Sequence, residues 1–320
     1  MPGGWPCGSA RDHRASNGIE FLHPHSTRLL GVRPEDPEFP PGGSDTAEQQ
    51  VLLSPILSVP KSIVVSILKG FGRGCMAFSR HVGQISVLIV RIFMTIFQGG
   101  VSVKMIFAQA YEQGIGSLPL VLVTAVLSGI VTSQQGGYQF SSSVPLYVLG
   151  SVVTASVVLE LGPVMTAFVL IGRVGARITA EIGTMAVSEQ VDALVSLGRD
   201  PVPFLAAPRV IAGMIVNPVL VGVANAVGVL TGLVSACATM GLGPEGFLHG
   251  ARMYWHSWDL FYSLTKAFVF GFMIPVISTQ MGLITHGGAE GVGRNTTTSV
   301  VFMIITVLVV DATFPPIFLN

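Results

Sequence analysis

Apolar segments of about 20 residues or more follow one another along the last two thirds of this sequence. A helix of that length crosses the hydrocarbon core of a bilayer, because its backbone polar groups are satisfied within the segment. The pattern therefore predicts five membrane-spanning helices, at about 117–138, 144–171, 207–236, 260–284 and 298–318. Prolines inside these spans predict local kinks, at Pro163, Pro218 and Pro275.

The segment before the first predicted span has a different pattern. Its apolar runs are short, and basic side chains interrupt them at Lys61, Lys69, Arg73, Arg80, Arg91 and Lys104. This pattern predicts one or two amphipathic helices lying at the headgroup level within residues 51–112. The alternative is a sixth span at 82–103, which would place Arg91 inside the bilayer at a cost of several kcal/mol unless it snorkels.

Residues 1–50 are rich in proline, glycine, serine and charge and lack apolar periodicity, so they predict a disordered amino-terminal extension. Residues 113–320 then form the five-span region. The predicted fold class is an all-α integral membrane protein with an amino-terminal interfacial helix or helices, five transmembrane helices and a cytoplasmic loop helix.

Composition narrows the function. Half of the residues are hydrophobic, 11% are charged and the formal net charge is zero, so lipid is the main solvent and nucleic acid is not an expected partner. The three cysteines are scattered, and the sequence contains no HExxH pair, no GxSxG element and no P-loop. We expect no metal site, no catalytic residue and no ATP site on this chain.

The distribution of arginine predicts the orientation. Residues 172–209 contain Arg173, Arg177, Arg199 and Arg209, whereas residues 139–143 contain no basic side chain. Basic connections remain on the cytoplasmic side, so 172–209 and the basic segment before the first span are expected there. With five spans, the carboxyl end is expected on the opposite side.

Ionisable side chains occur within three predicted spans. Glu160 lies about midway along the second, Lys266 lies in the fourth as its candidate partner, and Asp311 lies late in the fifth. A charge at that depth normally faces a bundle interior or a polar cavity. Two interpretations remain open, a polar contact that fixes helix packing and a role at a substrate cavity.

The predicted cytoplasmic connection contains a short amphipathic pattern. Apolar residues recur at helical spacing at Val187, Val191, Leu194 and Val195, and the polar side includes Glu189, Gln190, Asp192 and Ser196. Gly198 and Pro201 are expected to end this helix. It either docks on a soluble partner or rests on the membrane surface.

Within residues 160–201, the elements ELGP, GRVG, AEIGTM and SEQ resemble the MlaE-type permease family in order and spacing. These permeases are membrane subunits of bacterial ABC transporters that maintain outer-membrane lipid asymmetry, and chloroplast trigalactosyldiacylglycerol permeases share the pattern. The resemblance continues through PRVIAG (208–213), LTKAFVFG (264–271) and GAEGVGRNTTTSVV (288–301), so it covers roughly residues 85–320.

The resemblance implies a homodimeric permease that works with separate ABC ATPase subunits, which bind the ATP, and with an MCE-type carrier protein. Phospholipid would occupy a cavity beside Glu160 and Lys266. The region that resembles the family's coupling helix would contact the ATPase through Glu181, Glu189, Gln190 and Asp192. One departure is Leu159, where many bacterial members have arginine.

Two other functions remain as alternatives. A proton-coupled secondary transporter would use Glu160 or Asp311 as a proton relay, and an intramembrane enzyme would modify a lipid chemically. The expected location is a bacterial inner membrane, because the acidic residues among the first fifty are atypical of a plastid transit peptide. The chloroplast inner envelope is the alternative.

Overall fold

The computed structural model describes residues 83–98, 100–140 and 144–318. All regular secondary structure in these ranges is helical. The helices are α1 Gly83–Phe97, α2 Val103–Gln139, α3 Val148–Val187, α4 Gln190–Ser196, α5 Val202–Met240, α6 Pro244–Met253, α7 Ser257–Leu283 and α8 Gly288–Phe318. The predicted extension over residues 1–50 and residues 51–82 of the predicted interfacial segment lie outside the described residues.

Five of these helices are long and apolar enough to cross a bilayer, namely α2, α3, α5, α7 and α8. The prediction of an all-α membrane protein with five spans is therefore confirmed. Their lengths of 27 to 40 residues correspond to roughly 40–60 Å, whereas the hydrocarbon core is about 30 Å thick. Their ends therefore project beyond the hydrocarbon, and apolar length alone underestimated all five, α2 and α3 most.

The two largest differences concern α2 and α3. The first begins at Val103, so residues 103–112 are its first turns and the predicted interfacial segment 51–112 extended too far. The second continues to Val187, so residues 172–187 are helix rather than loop. In both places polar residues continue the helix past the hydrocarbon, where a hydropathy criterion no longer detects it.

Within the described residues, helix α1 is shorter than a membrane span. Its 15 residues reach about 22 Å, which is less than the hydrocarbon thickness. Leu88 and Ile92 are buried against a cluster from α5 and α7 that includes Val210 and Val276. Arg91 is exposed. The helix ends at Phe97 and residues 100–102 are not helical, so the alternative of a single span at 82–103 is not one continuous helix.

Helix α5 lies against α2 and α7 through pairs of glycines. A Cβ atom on Gly129 of α2 would lie 2.1 Å from the carbonyl oxygen of Gly228 in α5. A Cβ atom on Gly213 of α5 would lie 2.4 Å from the carbonyl oxygen of Gly271 in α7. Only glycine permits backbones to approach this closely. These contacts bring α5 close to α2 at one point and close to α7 at another.

Helix α3 contains two π-helical turns, Val157–Leu161 and Ile171–Gly175. The first precedes Pro163, whose ring nitrogen has no hydrogen to donate to the carbonyl of Leu159 four residues earlier. Single π turns inside α-helices often mark functional sites. Here the turn includes Glu160, one of the predicted cavity residues.

Candidate functional site

The three predicted intramembrane charges meet at one point in the bundle. Lys266 Nζ of α7 donates a hydrogen bond to Glu160 Oε2 of α3 at 2.6 Å. The same ammonium lies 2.5 Å from Asp311 Oδ1 of α8. The sequence indicated Glu160 and Lys266 as a pair, and the structure adds Asp311. We call these three residues the intramembrane cluster.

The three side chains of the intramembrane cluster are buried to different extents. The Lys266 side chain is fully buried, whereas the side chains of Asp311 and Glu160 are 21% and 44% exposed. Two carboxylates therefore compensate one enclosed ammonium, and Glu160 is the member that faces outward. A buried charge without partners is strongly destabilising, so each carboxylate supports the burial of Lys266.

Two further groups hold the ammonium. Lys266 Nζ donates to the carbonyl of Leu159 at 3.4 Å, the same carbonyl that Pro163 leaves without its usual helical donor. The ammonium also lies 5.5 Å from the ring centroid of Tyr262, within cation–π range. The proline and the π turn thus give the lysine an additional acceptor on α3.

The exposed side of Glu160 opens into a groove between α2 and α3 with a volume of about 580 Å³. Polar side chains from α2, Ser128, Thr132 and Gln135, line it at helical spacing. Leu127, Val131, Leu161 and Met165 supply an apolar lining. We call this the Glu160 groove. Its size and its mixture of apolar walls with few polar groups are typical of small-molecule sites.

The predicted coupling residues Glu189, Gln190 and Asp192 lie on or beside α4, and all three are exposed. No residue of α4 is buried. The helix is shorter than the predicted amphipathic segment, because Val187 is the last residue of α3. The prediction of a short helix in this connection thus holds for Gln190–Ser196, whose apolar side is available to a partner or a surface.

The turn before α4 has an unusual backbone. Glu189 has φ 60° and ψ 12°, which is the left-handed region. Among described residues it is the only non-glycine residue with positive φ. Glutamate is unfavourable in this conformation relative to glycine. Strain of this kind clusters at functional positions, and here it turns the chain sharply from α3 into α4.

Glu181 has a different environment from the other predicted coupling residues. It lies in α3, and its Oε1 accepts a hydrogen bond from Arg209 Nη2 of α5 at 2.7 Å. Arg209 is buried, and its Nη1 also donates to the carbonyl of Leu205 at 2.7 Å. Gln113 of α2 donates to the carbonyl of Arg209 at 3.1 Å. Glu181 thus belongs to an internal contact that joins three helices.

A second ion pair, between Arg177 of α3 and Glu112 of α2, lies beside this contact. We call Glu112, Gln113, Arg177, Glu181 and Arg209 the Arg209 cluster, and the end of the bundle that holds it the arginine end. Sequence reasoning missed the cluster because it assigned Glu112 to an interfacial segment and Arg177 to a loop. The available signal was the spacing of Arg177 and Glu181, one helical turn apart.

Comparison with known proteins connects this architecture to a family. A protein-family model described as Permease MlaE matches residues 106–316, which is more than half of the chain. The chain belongs to the MlaE permease family. The matched region runs from α2 into α8, so it includes the intramembrane cluster, the Glu160 groove and α4, and it omits α1.

Individual relatives extend this result. A probable ABC transporter permease protein from Synechocystis sp. is 38% identical over 219 residues, covering 68% of this chain and 83% of the relative. Another from Rickettsia felis is 36% identical over 247 residues, covering 77% and 95%. The chloroplastic protein TRIGALACTOSYLDIACYLGLYCEROL 1 of Arabidopsis thaliana is 32% identical over 228 residues, covering 71% and 65%. The resemblance to MlaE permeases inferred from the sequence is confirmed.

Proposed function

We propose that this MlaE permease is the membrane subunit of an ABC-type phospholipid transporter. It would move phospholipid between its membrane and an MCE-type carrier, using ATP hydrolysed by a separate subunit. The observation that carries the proposal is the Glu160 groove, where a half-exposed carboxylate of the intramembrane cluster meets apolar walls. The lipid would leave chemically unchanged.

The shape and lining of the groove support an amphipathic cargo. Its polar stripe on α2 and the Glu160 carboxylate suit a headgroup, and its apolar residues suit acyl chains. The name of the Arabidopsis relative refers to a glycerolipid, which favours lipid over a soluble substrate. The intramembrane cluster would fix the geometry of the cavity rather than carry out a reaction.

A second copy of the chain is the proposed partner within the membrane. An ionisable side chain that is 44% exposed on a spanning helix is costly if lipid tails surround it. A homodimer that brings two Glu160 grooves together would enclose both carboxylates in one polar cavity. The cargo would then lie between the two permease subunits.

The ATPase contact is proposed at α4. Relatives named ABC transporter permeases support an ATPase partner, and α4 presents Glu189, Gln190 and Asp192 without burying any residue of its own. Glu181 would act on this contact indirectly, because its carboxylate is engaged by Arg209. Movement of α4 would pass into α3 and, through the Arg209 cluster, into α2 and α5.

The proposed location is a bacterial inner membrane, with the chloroplast inner envelope as the alternative. Synechocystis and Rickettsia relatives support the first, and the chloroplastic Arabidopsis relative fits the second. The orientation expected from arginine places α4 and the arginine end in the cytoplasm, or in the stroma for a plastid.

Purification of the intact complex from its native membrane tests the proposal. We expect two permease copies, an ABC ATPase, an MCE-domain protein and bound phospholipid, identified by mass spectrometry of protein and lipid. A Glu160→Ala complex should retain the protein subunits and contain less phospholipid. A permease that purified without any ATPase, or with a non-lipid cargo, would contradict the proposal.

A further inference from the structure

We infer that Arg173 forms a separate phosphate-binding site for membrane lipid on the outer surface of α2 and α3, at the arginine end. Charge distinguishes Arg173 from the neighbouring arginines. Arg177 pairs with Glu112 and Arg209 pairs with Glu181, whereas no carboxylate in the described part of the chain lies within ion-pair distance of Arg173. Among the described residues, Arg173 is therefore a cation without a carboxylate partner.

This guanidinium rests against the neighbouring helix. A Cβ atom on Gly116 of α2 would lie 2.7 Å from Arg173 Nη2, so the guanidinium lies across the backbone of α2 where a side chain is missing. Gly116 thus allows Arg173 to rest against the protein while remaining exposed. A guanidinium held in one place loses less conformational freedom when it binds an anion.

The surroundings add donors suited to phosphate. Arg173 shares a small depression of about 20 Å³ with Arg177 and with the amide side chain of Gln109. Gln113 also lines it, but its amide nitrogen donates to the Arg209 carbonyl. This volume holds roughly one water-sized group, so it admits a phosphate oxygen and excludes an acyl chain. Glu112 and Glu181 also line the depression, but Arg177 compensates the first charge and Arg209 compensates the second. A forked guanidinium is well matched to phosphate oxygens.

The depth of Arg173 in the membrane corresponds to the level of the lipid headgroups. Arg173 follows Glu160 by 13 residues of α3, which is about 20 Å along the helix. Half of the hydrocarbon thickness is about 15 Å, so a bilayer centred near Glu160 places its phosphates close to Arg173. On α2, Gly116 precedes the groove residue Ser128 by 12 residues, which gives a similar distance. Two antiparallel helices therefore bring the site to the same level.

The ligand class is a glycerophospholipid recognised through its phosphate, with the acyl chains remaining in the surrounding bilayer. This site is distinct from the Glu160 groove, which lies nearer the membrane centre. It does not depend on the proposed cargo, because a permease for another substrate would still hold a lipid here. It would anchor the arginine ends of α2 and α3 to one leaflet.

Native mass spectrometry of the full chain in detergent tests the inference. The probes are phosphatidylglycerol, dioleoylglycerol, which lacks the phosphate, and inorganic phosphate. We expect retained phosphatidylglycerol on the wild type and no comparable retention of dioleoylglycerol. Arg173→Gln should weaken retention about five-fold, the equivalent of one exposed charge contact. Arg173→Lys should weaken it less, because the charge remains without the fork.

Two further variants separate position from charge. Gly116→Val keeps every charge and displaces the guanidinium, so it should also weaken retention. Arg294→Gln removes an exposed arginine near the start of α8, at the same end of the bundle, and should leave retention unchanged. Equal losses in Arg173→Gln and Arg294→Gln would overturn the site. Displacement of phosphatidylglycerol by millimolar inorganic phosphate would assign the site to a free anion and overturn the lipid assignment.

Discussion

Lys266 and Glu160 form an ion pair with unequal burial: the ammonium is fully enclosed, and the carboxylate, 2.6 Å away, is 44% exposed. The pair thus has an inner and an outer member. The inner member needs its counter-ions for the fold, while the outer member can exchange protein contacts for contacts with a cargo. Substitution of the inner member should therefore affect mainly stability, and substitution of the outer member should affect mainly transport.

Lys266→Met should destabilise the protein, because it leaves Glu160 and Asp311 close together without a cation. The carboxylates left behind are partly exposed, so the loss of stability should be smaller than the roughly 3–5 kcal/mol of a fully buried pair. Thermal unfolding of the purified permease in detergent measures the effect. The triple variant Glu160→Gln, Lys266→Met, Asp311→Asn should recover much of the loss. A single variant as stable as the wild type would show that the cluster contributes nothing to the fold.

Asp311→Asn and Glu160→Gln should affect different properties. Asp311 is the less exposed carboxylate, so Asp311→Asn should lower the unfolding temperature more. Glu160 lines the groove, so Glu160→Gln should reduce lipid transfer more at near-normal stability. Parallel measurements of unfolding and transfer on both variants check the split. Equal effects on both properties would remove the distinction between an inner and an outer carboxylate.

Glu189→Gly should distinguish the role of the Glu189 side chain from the role of its backbone conformation. Glycine adopts the left-handed region readily, so the stability of the permease should stay within about 1 kcal/mol of the wild type. Loss of the carboxylate should reduce stimulation of the ATPase, and Glu189→Lys should reduce it further. ATPase assays of the assembled complex measure this. Normal stimulation by Glu189→Lys would refute the coupling role of this residue.

Glu181→Gln should act on the fold before it acts on the ATPase. The buried Arg209 guanidinium would lose its carboxylate, which costs about 1–3 kcal/mol. Co-purification of the ATPase should be preserved, unlike a direct contact residue. Unfolding temperature and subunit stoichiometry are the measurements. Loss of the ATPase at unchanged stability would mean that Glu181 contacts the partner directly.

The number of spans was predictable from the sequence because the bilayer imposes a fixed apolar length. The pairing of Glu160 with Lys266 was also predictable, because ionisable side chains inside membrane-spanning helices usually pair with one another. The ends of the helices could not be predicted from the sequence. Residues 103–116 and 172–187 continue α2 and α3 past the hydrocarbon, where composition resembles that of a loop.

Contacts between residues far apart in the sequence could not be predicted either. Asp311 joins Lys266, and Glu112 joins Arg177, only because α8 and α2 pack beside α7 and α3. The left-handed backbone of Glu189 likewise follows from the turn between α3 and α4. No local pattern records these neighbours. The Arg209 cluster was therefore visible only once the long helices had been assembled.

The central claim is that this MlaE permease moves phospholipid through the Glu160 groove under the control of an external ATPase. Its most direct test is transfer of labelled phospholipid from proteoliposomes containing the complete complex to its carrier protein. We predict that transfer requires ATP and does not depend on an imposed proton gradient. In Glu160→Ala, transfer should fall severalfold while the complex remains assembled. Transfer driven by the gradient without ATPase, or normal transfer by Glu160→Ala, would contradict the account.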